Sequence, residues 1–352
     1  MSQFSISPRR FLITFAAVST VFGAIHFSSA IEFVLKPSDF YFRAWEYVSD
    51  VIYRTQIYGN EWRGEEGFDL GRRYFFNFQD HRFTHVSVDR YGYRVTPAFD
   101  APYAAIAVVG DSEAWGSALS DGETIPWQLS KLTSRSVLNL SRFHLCRALQ
   151  HPRVQRRTLI VEILTERNIR GRVFPYKCKS SKPLASLRRP AGYIGLIRAI
   201  DAKRYSPLLR LPSVLQRATR DLSVAFSKPK MRYLFLNHRM SPNNLTDAVR
   251  SIVKRHHDLS LKGIDYLFVP MPAKQTIYGK NIDSYTKNYL PRLYRALSEA
   301  GVPYVDVSTP FRTNRDKGLF FPYDTHVNPR GAQIVAIAIA RFLKQSQTHL
   351  TP

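Results

Sequence analysis

The chain has 352 residues, with 51 Lys and Arg against 27 Asp and Glu, a formal net charge of +24. Its 44% hydrophobic and 13% aromatic content excludes wholesale disorder, and the length is ample for a buried core in one large or two modest domains. Only Cys146 and Cys178 are present, which excludes a disulfide framework or a multi-cysteine zinc site and leaves a single pairing open.

Arg9 and Arg10 precede an apolar run from Phe11 to Ile25 that continues weakly to Leu35, with no charge before Glu32. About 20 uncharged helical residues can cross a hydrocarbon core of about 30 Å. Residues 1–35 therefore read as a cytoplasmic tip and transmembrane anchor. A cleaved signal peptide is one alternative, with Ser28-Ser29-Ala30 as its cleavage site, although such peptides have shorter apolar regions of about 7–15 residues; a buried soluble helix is the other, opposed by the position of the run at the extreme end beside two arginines. On the anchor and the signal-peptide readings alike the arginines stay inside and the main domain faces outward, and the uncleaved anchor predicts a single-pass protein of the inner membrane with a periplasmic or extracytoplasmic domain.

Residues 36–97 are an aromatic-rich lead-in, with strand-like pieces at Tyr74–Phe78 and His85–Asp89 and a final Arg90-Tyr91-Gly92-Tyr93-Arg94. They are expected to pack on the main domain, residues 98–346. From there the pattern alternates: strand 104–110, helix 123–133, strand 136–140, helix 143–152, strand 157–164, then helix 243–262, strand 265–270, helix 283–300, strand 302–307 and helix 329–345. Apolar strands separated by helices predict an α/β fold with a parallel central sheet covered on both faces.

A basic segment, residues 167–242, interrupts the alternation as a mostly helical insertion. Between Arg167 and Arg232 it carries seventeen Lys or Arg against Asp201 and Asp221. Such charge suits anionic lipid headgroups or an acidic polysaccharide, or is a solvated basic face. No nucleic-acid motif accompanies it, and nucleic acid is not expected as a partner.

Two segments carry chemistry. Val108-Val109-Gly110-Asp111-Ser112 ends the first strand of the alternation, so Ser112 falls on a turn at a strand's carboxyl end, where open α/β sheets place their sites. Asp324-Thr325-His326 lies just before Pro329, at the start of the last helix. A serine hydroxyl needs an adjacent base to take its proton, and the base needs one ring nitrogen fixed by a hydrogen bond. Ser112, His326 and Asp324 are the residue types for those three tasks. Taken singly, each has an ordinary structural use: a capping serine, a histidine at a helix entrance, an N-cap carboxylate.

The segment from Val108 to Leu132 resembles the first block of the SGNH or GDSL-type hydrolases and acyltransferases, and Tyr323 to Leu343 resembles their last. Ile160 to Arg167, Val269 to Lys274 with Tyr278, and Asp324-Thr325-His326 are similar to the alginate O-acetyltransferase-like branch. The resemblance implies a three-layer SGNH-type fold with Ser112 as nucleophile, His326 as general base and acid, and Asp324 as the orienting carboxylate. It also implies oxyanion donors, one of them the Ser112 N–H. At the family's usual glycine stands Ser141, whose backbone N–H is the candidate for a second donor, and no Gly-x-Asn-Asp block follows the third strand, which leaves Asn168 and Arg167 as candidates for the third. Glu162, Glu166 and Arg167 fall at the end of the third strand, either as a structural ion pair or with Arg167 binding an acidic substrate group. Lys274 and Tyr278 are further substrate candidates on the same rim.

The resemblance implies an enzyme that moves an acyl group, acetyl above all, to a hydroxyl of an envelope or extracellular glycan through an acyl-Ser112 ester. An ester hydrolase with the same residues, or a glycan-binding subunit that kept the fold, are the alternatives. The expected partners are a glycan acceptor, an acyl donor, the membrane, and a multi-span membrane protein that delivers the acyl group. No cofactor is called for. His256-His257 and the scattered His81, His85, His144 and His151 lack the spacing of a metal site.

Overall fold

A computed structural model describes residues 7, 11–21, 23, 61–70, 81–89, 91–97, 101–141, 145–172, 235–236, 238–280 and 282–348. Strands β1 (Glu61–Gly67) and β2 (His81–Ser87) form an antiparallel hairpin. Strands β3 (Ile106–Gly110), β4 (Val137–Asn139), β5 (Leu159–Thr165) and β6 (Asp265–Met271) form an all-parallel sheet in the order β4-β3-β5-β6. The architecture is α/β, a four-stranded parallel sheet flanked by helices.

Strand periodicity builds two cores. Ile106 and Val108, Val161 and Ile163, and Leu267, Val269 and Met271 face one cluster, whereas Ala107, Val109, Ile160, Leu164, Tyr266 and Phe268 face the other. Successive side chains alternate across the sheet, so strands covered on both faces read as continuous apolar runs. Each fully buried aliphatic side chain contributes about 1.5–3 kcal/mol.

Helices cover the sheet on both faces. Helix α1 (Ser112–Trp115) is a single turn leaving β3, and α2 (Ile125–Thr133) follows it, opened by Pro126 and capped by Thr124, whose hydroxyl accepts the Trp127 N–H at 3.3 Å. Helix α3 (Glu166–Arg172) follows β5 directly. Helix α4 (Pro242–Ser260) begins with a Ser241–Asn244 capping box, and buries Ala248, Ile252 and Leu259 against the second core. After β6 come α5 (Lys274–Tyr278) and α6 (Tyr289–Glu299), the latter also on the second core, and finally α7 (Pro329–Thr348), whose Val335, Ala336 and Ile339 close the first core.

Several elements are shorter than their pattern suggests. The predicted helix 143–152 is one turn, Leu145–Ala148, and the predicted helix 283–300 is divided at Asn288 into Ser284–Lys287 and α6. The predicted strand 302–307 is reduced to a parallel bridge between Tyr304 and Phe268. Pro303 has no N–H to give the ladder, and Asp306 turns its carboxylate onto the Ser308 N–H at 2.8 Å to begin a helix instead.

Residues 11–21 are helical, and among the described residues no helix is long and apolar enough to cross a membrane. Residues 24–35, the strand-like Tyr74–Phe78, Cys178 and insertion residues 173–234 lie outside the described residues. Cys146, buried in the helix after β4, is disulfide-bonded.

The hairpin packs against the loop that follows α1. Arg82 forms a bidentate pair with Glu123 at 2.5 and 2.6 Å, the Ser87 N–H donates to Asp121 at 2.8 Å, and Trp115 lies under Val86 and Val88. Arg94, only 2% exposed, donates to the Asp121 carboxylate at 3.0 Å and to the carbonyls of Gly116 at 2.7 Å, Trp115 at 3.3 Å and Leu119. One guanidinium thereby holds the whole turn from 115 to 121.

Candidate active site

The nucleophile candidate sits on a turn that only glycine permits. Gly110 ends β3 with φ +144°, and a Cβ there would lie 1.9 Å from the Ile163 carbonyl oxygen of β5. The close approach lets Asp111 reach across to β5. Its Oδ2 accepts from the Thr165 N–H at 2.9 Å, the Thr165 hydroxyl at 2.8 Å and the Asn168 amide at 2.6 Å, while its Oδ1 caps α1 through the Glu113 N–H at 3.0 Å. Ser112 is thus presented as the first residue of α1. Among the described residues its backbone N–H makes no hydrogen bond.

Asp324 and His326 come from the loop between the Phe320–Val327 bridge partners, just before α7. Asn328 fixes the start of that helix by accepting the Gly331 N–H at 3.1 Å, and Gly331 lets the helix pass so close that a Cβ would meet the Leu319 oxygen at 2.3 Å. Asp324 is fully buried. Its Oδ1 accepts from His326 Nδ1 at 2.6 Å and from the His326 N–H at 2.9 Å, and its Oδ2 accepts from the Asp69 N–H at 2.9 Å. A carboxylate only accepts, so Nδ1 carries the proton and Nε2 of neutral His326 presents a lone pair to Ser112 Oγ, 2.6 Å away.

Two groups from elsewhere in the chain hold this loop. Asp69, just after β1, accepts from the Thr325 N–H at 2.8 Å and the Thr325 hydroxyl at 2.6 Å. Lys274, 3% exposed at the start of α5, donates to the carbonyls of Phe321 at 2.8 Å, Pro322 at 2.6 Å and Asp324 at 3.0 Å. Burial lowers its ammonium from an ordinary 10.5 to about 7, against the pull of Asp324 and Asp69. Lys274 is therefore an organiser of the loop's backbone and is not placed on the rim toward substrate. Tyr278 is likewise spoken for, donating to the Arg315 carbonyl at 2.8 Å and accepting from the Leu319 N–H at 2.9 Å.

The remaining expected residues separate in the same way. Ser141 is buried, its N–H on Asn139 Oδ1 at 3.3 Å and its hydroxyl on the Val108 carbonyl at 3.4 Å, so both its donors are engaged. Asn168 steadies Asp111. Arg167 is half-buried on α3 and makes no hydrogen bond or ion pair among the described residues, but it draws on the Glu113 carboxyl electrostatically. Glu162 lies in mid-strand on the second core, paired with Arg255 of α4 and accepting the Tyr266 hydroxyl at 2.5 Å. Glu166 accepts the Ala273 N–H at 3.2 Å and the Thr276 hydroxyl at 2.6 Å.

Glu113, next to Ser112, received no reading from the sequence. It is 1% exposed, its Oε2 accepts the Val327 N–H at 3.2 Å, and among the described residues its Oε1 has no partner. Burial raises its carboxyl from 4.5 to about 7, opposed by His326 and Arg167 and assisted by Asp111. Asp69 and Arg94 were also missed, and nothing local marks either one, because their partners are far away in sequence. Asp69, Asp324 and His326 each offer a ligand atom within 4.8 Å of the others. Hydrogen bonds within the loop engage carboxylate oxygens of both aspartates and Nδ1 of His326.

Residues 230–352 match the family model described as ALGX, the SGNH hydrolase-like domain of the acetyltransferase AlgX. That stretch is an SGNH hydrolase-like domain. It contains Lys274, Asp324 and His326, whereas Ser112 lies before it. With this acetyltransferase-like domain the chain is an enzyme. No curated protein sequence matches the chain. Among solved structures, the crystal structure of protein YxiM from Bacillus subtilis is similar at 12% identity and a TM-score of 0.36, over 76% of this chain and 69% of that one.

Proposed function

We propose that the chain is a serine-dependent O-acyltransferase, with acetyl as the group moved and a glycan hydroxyl as the acceptor. The observation that carries this reading is the continuous series from Ser112 Oγ through His326 to Asp324, with links of 2.6 Å each. The match to an acetyltransferase domain supports acetyl transfer to a polysaccharide.

In the first half-reaction His326 Nε2 takes the Ser112 proton as Oγ attacks the carbonyl carbon of the acyl donor. Asp324 keeps Nδ1–H in place and offsets the charge of the imidazolium. The tetrahedral oxyanion receives the open N–H of Ser112. Collapse expels the donor's leaving group, which takes the proton from His326, and acyl-Ser112 remains. In the second half His326 deprotonates a glycan hydroxyl, whose oxygen attacks the ester. The new sugar ester departs, and the proton returns to Ser112. Water in place of the sugar makes the same residues an esterase.

The rest of the reading concerns place and fold. Residues 1–35 tether the chain to the inner membrane with the catalytic part outside, as a three-layer SGNH-type domain spanning 98–346 with a basic insertion at 167–242 and a lead-in at 36–97. The exposed Phe11, Leu12, Ile13, Phe15, Val18 and Val21 of the helix at residues 11–21 support the tether. A multi-span membrane partner supplies the acyl group on this reading.

The test uses the full chain in detergent with p-nitrophenyl acetate, with and without an oligosaccharide acceptor, beside Ser112→Ala. Release of nitrophenol that disappears in the variant, together with acetylated sugar, is expected. Acetate without acetylated sugar decides for hydrolysis. Turnover unchanged in Ser112→Ala would remove Ser112 from the chemistry.

A further inference from the structure

Glu113 joins the two halves of the site. Its backbone belongs to α1, directly after Ser112, and its side chain turns inward to accept the N–H of Val327, the residue after His326, across 214 positions of sequence. The carboxyl is 1% exposed, and its second oxygen is buried with no donor among the described residues. A buried polar atom left unmatched is costly, and in native proteins it calls for an explanation. Here the charged groups that face the carboxyl are His326 from its loop, Arg167 from α3 and Asp111 from the preceding turn.

We propose that Glu113 is a positioning residue for the His326 base: a second carboxylate that braces the strand behind the imidazole and stabilises the imidazolium formed as Ser112 gives up its proton. The inference rests on the assignment of Ser112 as nucleophile and His326 as base, and extends it. A carboxylate near an imidazole favours its protonated form. The influence is mutual: a proton arriving at His326 makes Glu113 release its own more readily, so the two titrate as a coupled pair. Because burial holds the Glu113 carboxyl at about 7, it changes charge in the range where a histidine base works. Asp324 fixes the Nδ1 side and Glu113 supplies charge that varies with pH.

The decisive variant is Glu113→Gln in the full chain, which keeps the size and the acceptor for the Val327 N–H and removes the charge. Two readouts are taken. In an NMR titration of the imidazoles, with His326 assigned by its absence in His326→Asn, the His326 midpoint is expected to fall by about one pH unit, the lower end of what a close opposite charge produces. In the pH profile of kcat/KM with p-nitrophenyl acetate, the limb that reports the base moves down by a similar amount. At its plateau kcat falls about tenfold with KM little changed. An unmoved His326 midpoint, whatever happens to thermal stability, overturns the proposal, because a purely structural brace leaves the imidazole's titration alone. The NMR readout needs no turnover, and Ser112→Ala in the same kinetic assay separates a failure of this inference from a failure of the nucleophile assignment.

Discussion

The ammonium of Lys274 donates to the main-chain carbonyl of Asp324 at 3.0 Å, so a side chain at the start of α5 holds the turn whose own side chain contacts His326. The same ammonium takes the carbonyls of Phe321 and Pro322. Lys274→Met leaves three acceptors without that donor, at roughly 1–3 kcal/mol for each one left buried. Ester turnover is expected to fall at least a hundredfold, with a lower Tm by calorimetry. The sign of the pH dependence is also set. With the folded group at about 7 and the ordinary value at 10.5, the folded state binds fewer protons between them, so this group adds stability as pH rises through that window. The variant loses that rise.

Asp324→Asn replaces an acceptor of three N–H groups by an amide that must turn a donor toward one of them. The imidazole is then free to adopt the other tautomer, with Nε2 protonated toward Ser112. A fall in kcat of about 10⁴-fold is expected, by analogy with the loss of the orienting carboxylate elsewhere. Single-turnover acylation with p-nitrophenyl acetate measures it, and a loss under tenfold would mean that Asp324 does not orient the base.

Glu113→Gln has a stability signature separate from its effect on His326. A carboxyl raised from 4.5 to about 7 holds a proton in the folded state that the unfolded chain has lost, so its contribution falls as pH rises through that window and stays low above it. At about 1.4 kcal/mol per unit the whole effect is on the order of 3 kcal/mol. Urea unfolding at pH 8 is expected to show the variant more stable than the parent, and at pH 4 the difference disappears.

Arg94→Met strips the turn from 115 to 121 of its donor and leaves Asp121 buried with an uncompensated charge. Breaking such a pair costs about 3–5 kcal/mol. Urea denaturation is expected to register a loss of that size, together with weaker docking of the β1–β2 hairpin.

Gly110→Ala would place a methyl carbon 1.9 Å from the Ile163 carbonyl. The sheet would have to open between β3 and β5, so soluble folded protein is not expected. A variant with normal circular dichroism and ester turnover would contradict the close approach on which the Ser112 turn depends.

The sequence by itself determined the elements with strong local signals and the residue types of the site. Apolar runs bounded by turns marked β3, β5 and β6, and Pro329 marked the start of α7, because periodicity and capping act over a few residues. Gly110-Asp111-Ser112 and Asp324-Thr325-His326 were legible as candidate nucleophile and base segments through their residue types and through their resemblance to the blocks of a known family. Their meeting was not, since it depends on the order in which strands assemble. Nor did sequence separate residues that face a substrate from those that hold the backbone: Lys274, Tyr278, Ser141 and Asn168 all follow within a few residues of a strand's carboxyl end, and only the fold commits them to internal carbonyls, amides and carboxylates. Asp69, Arg94 and Glu113 had no local signal at all. A hydrogen bond or a shared charge is decided by distance in space, and between residues more than 200 positions apart that distance is set by the packing of the whole sheet.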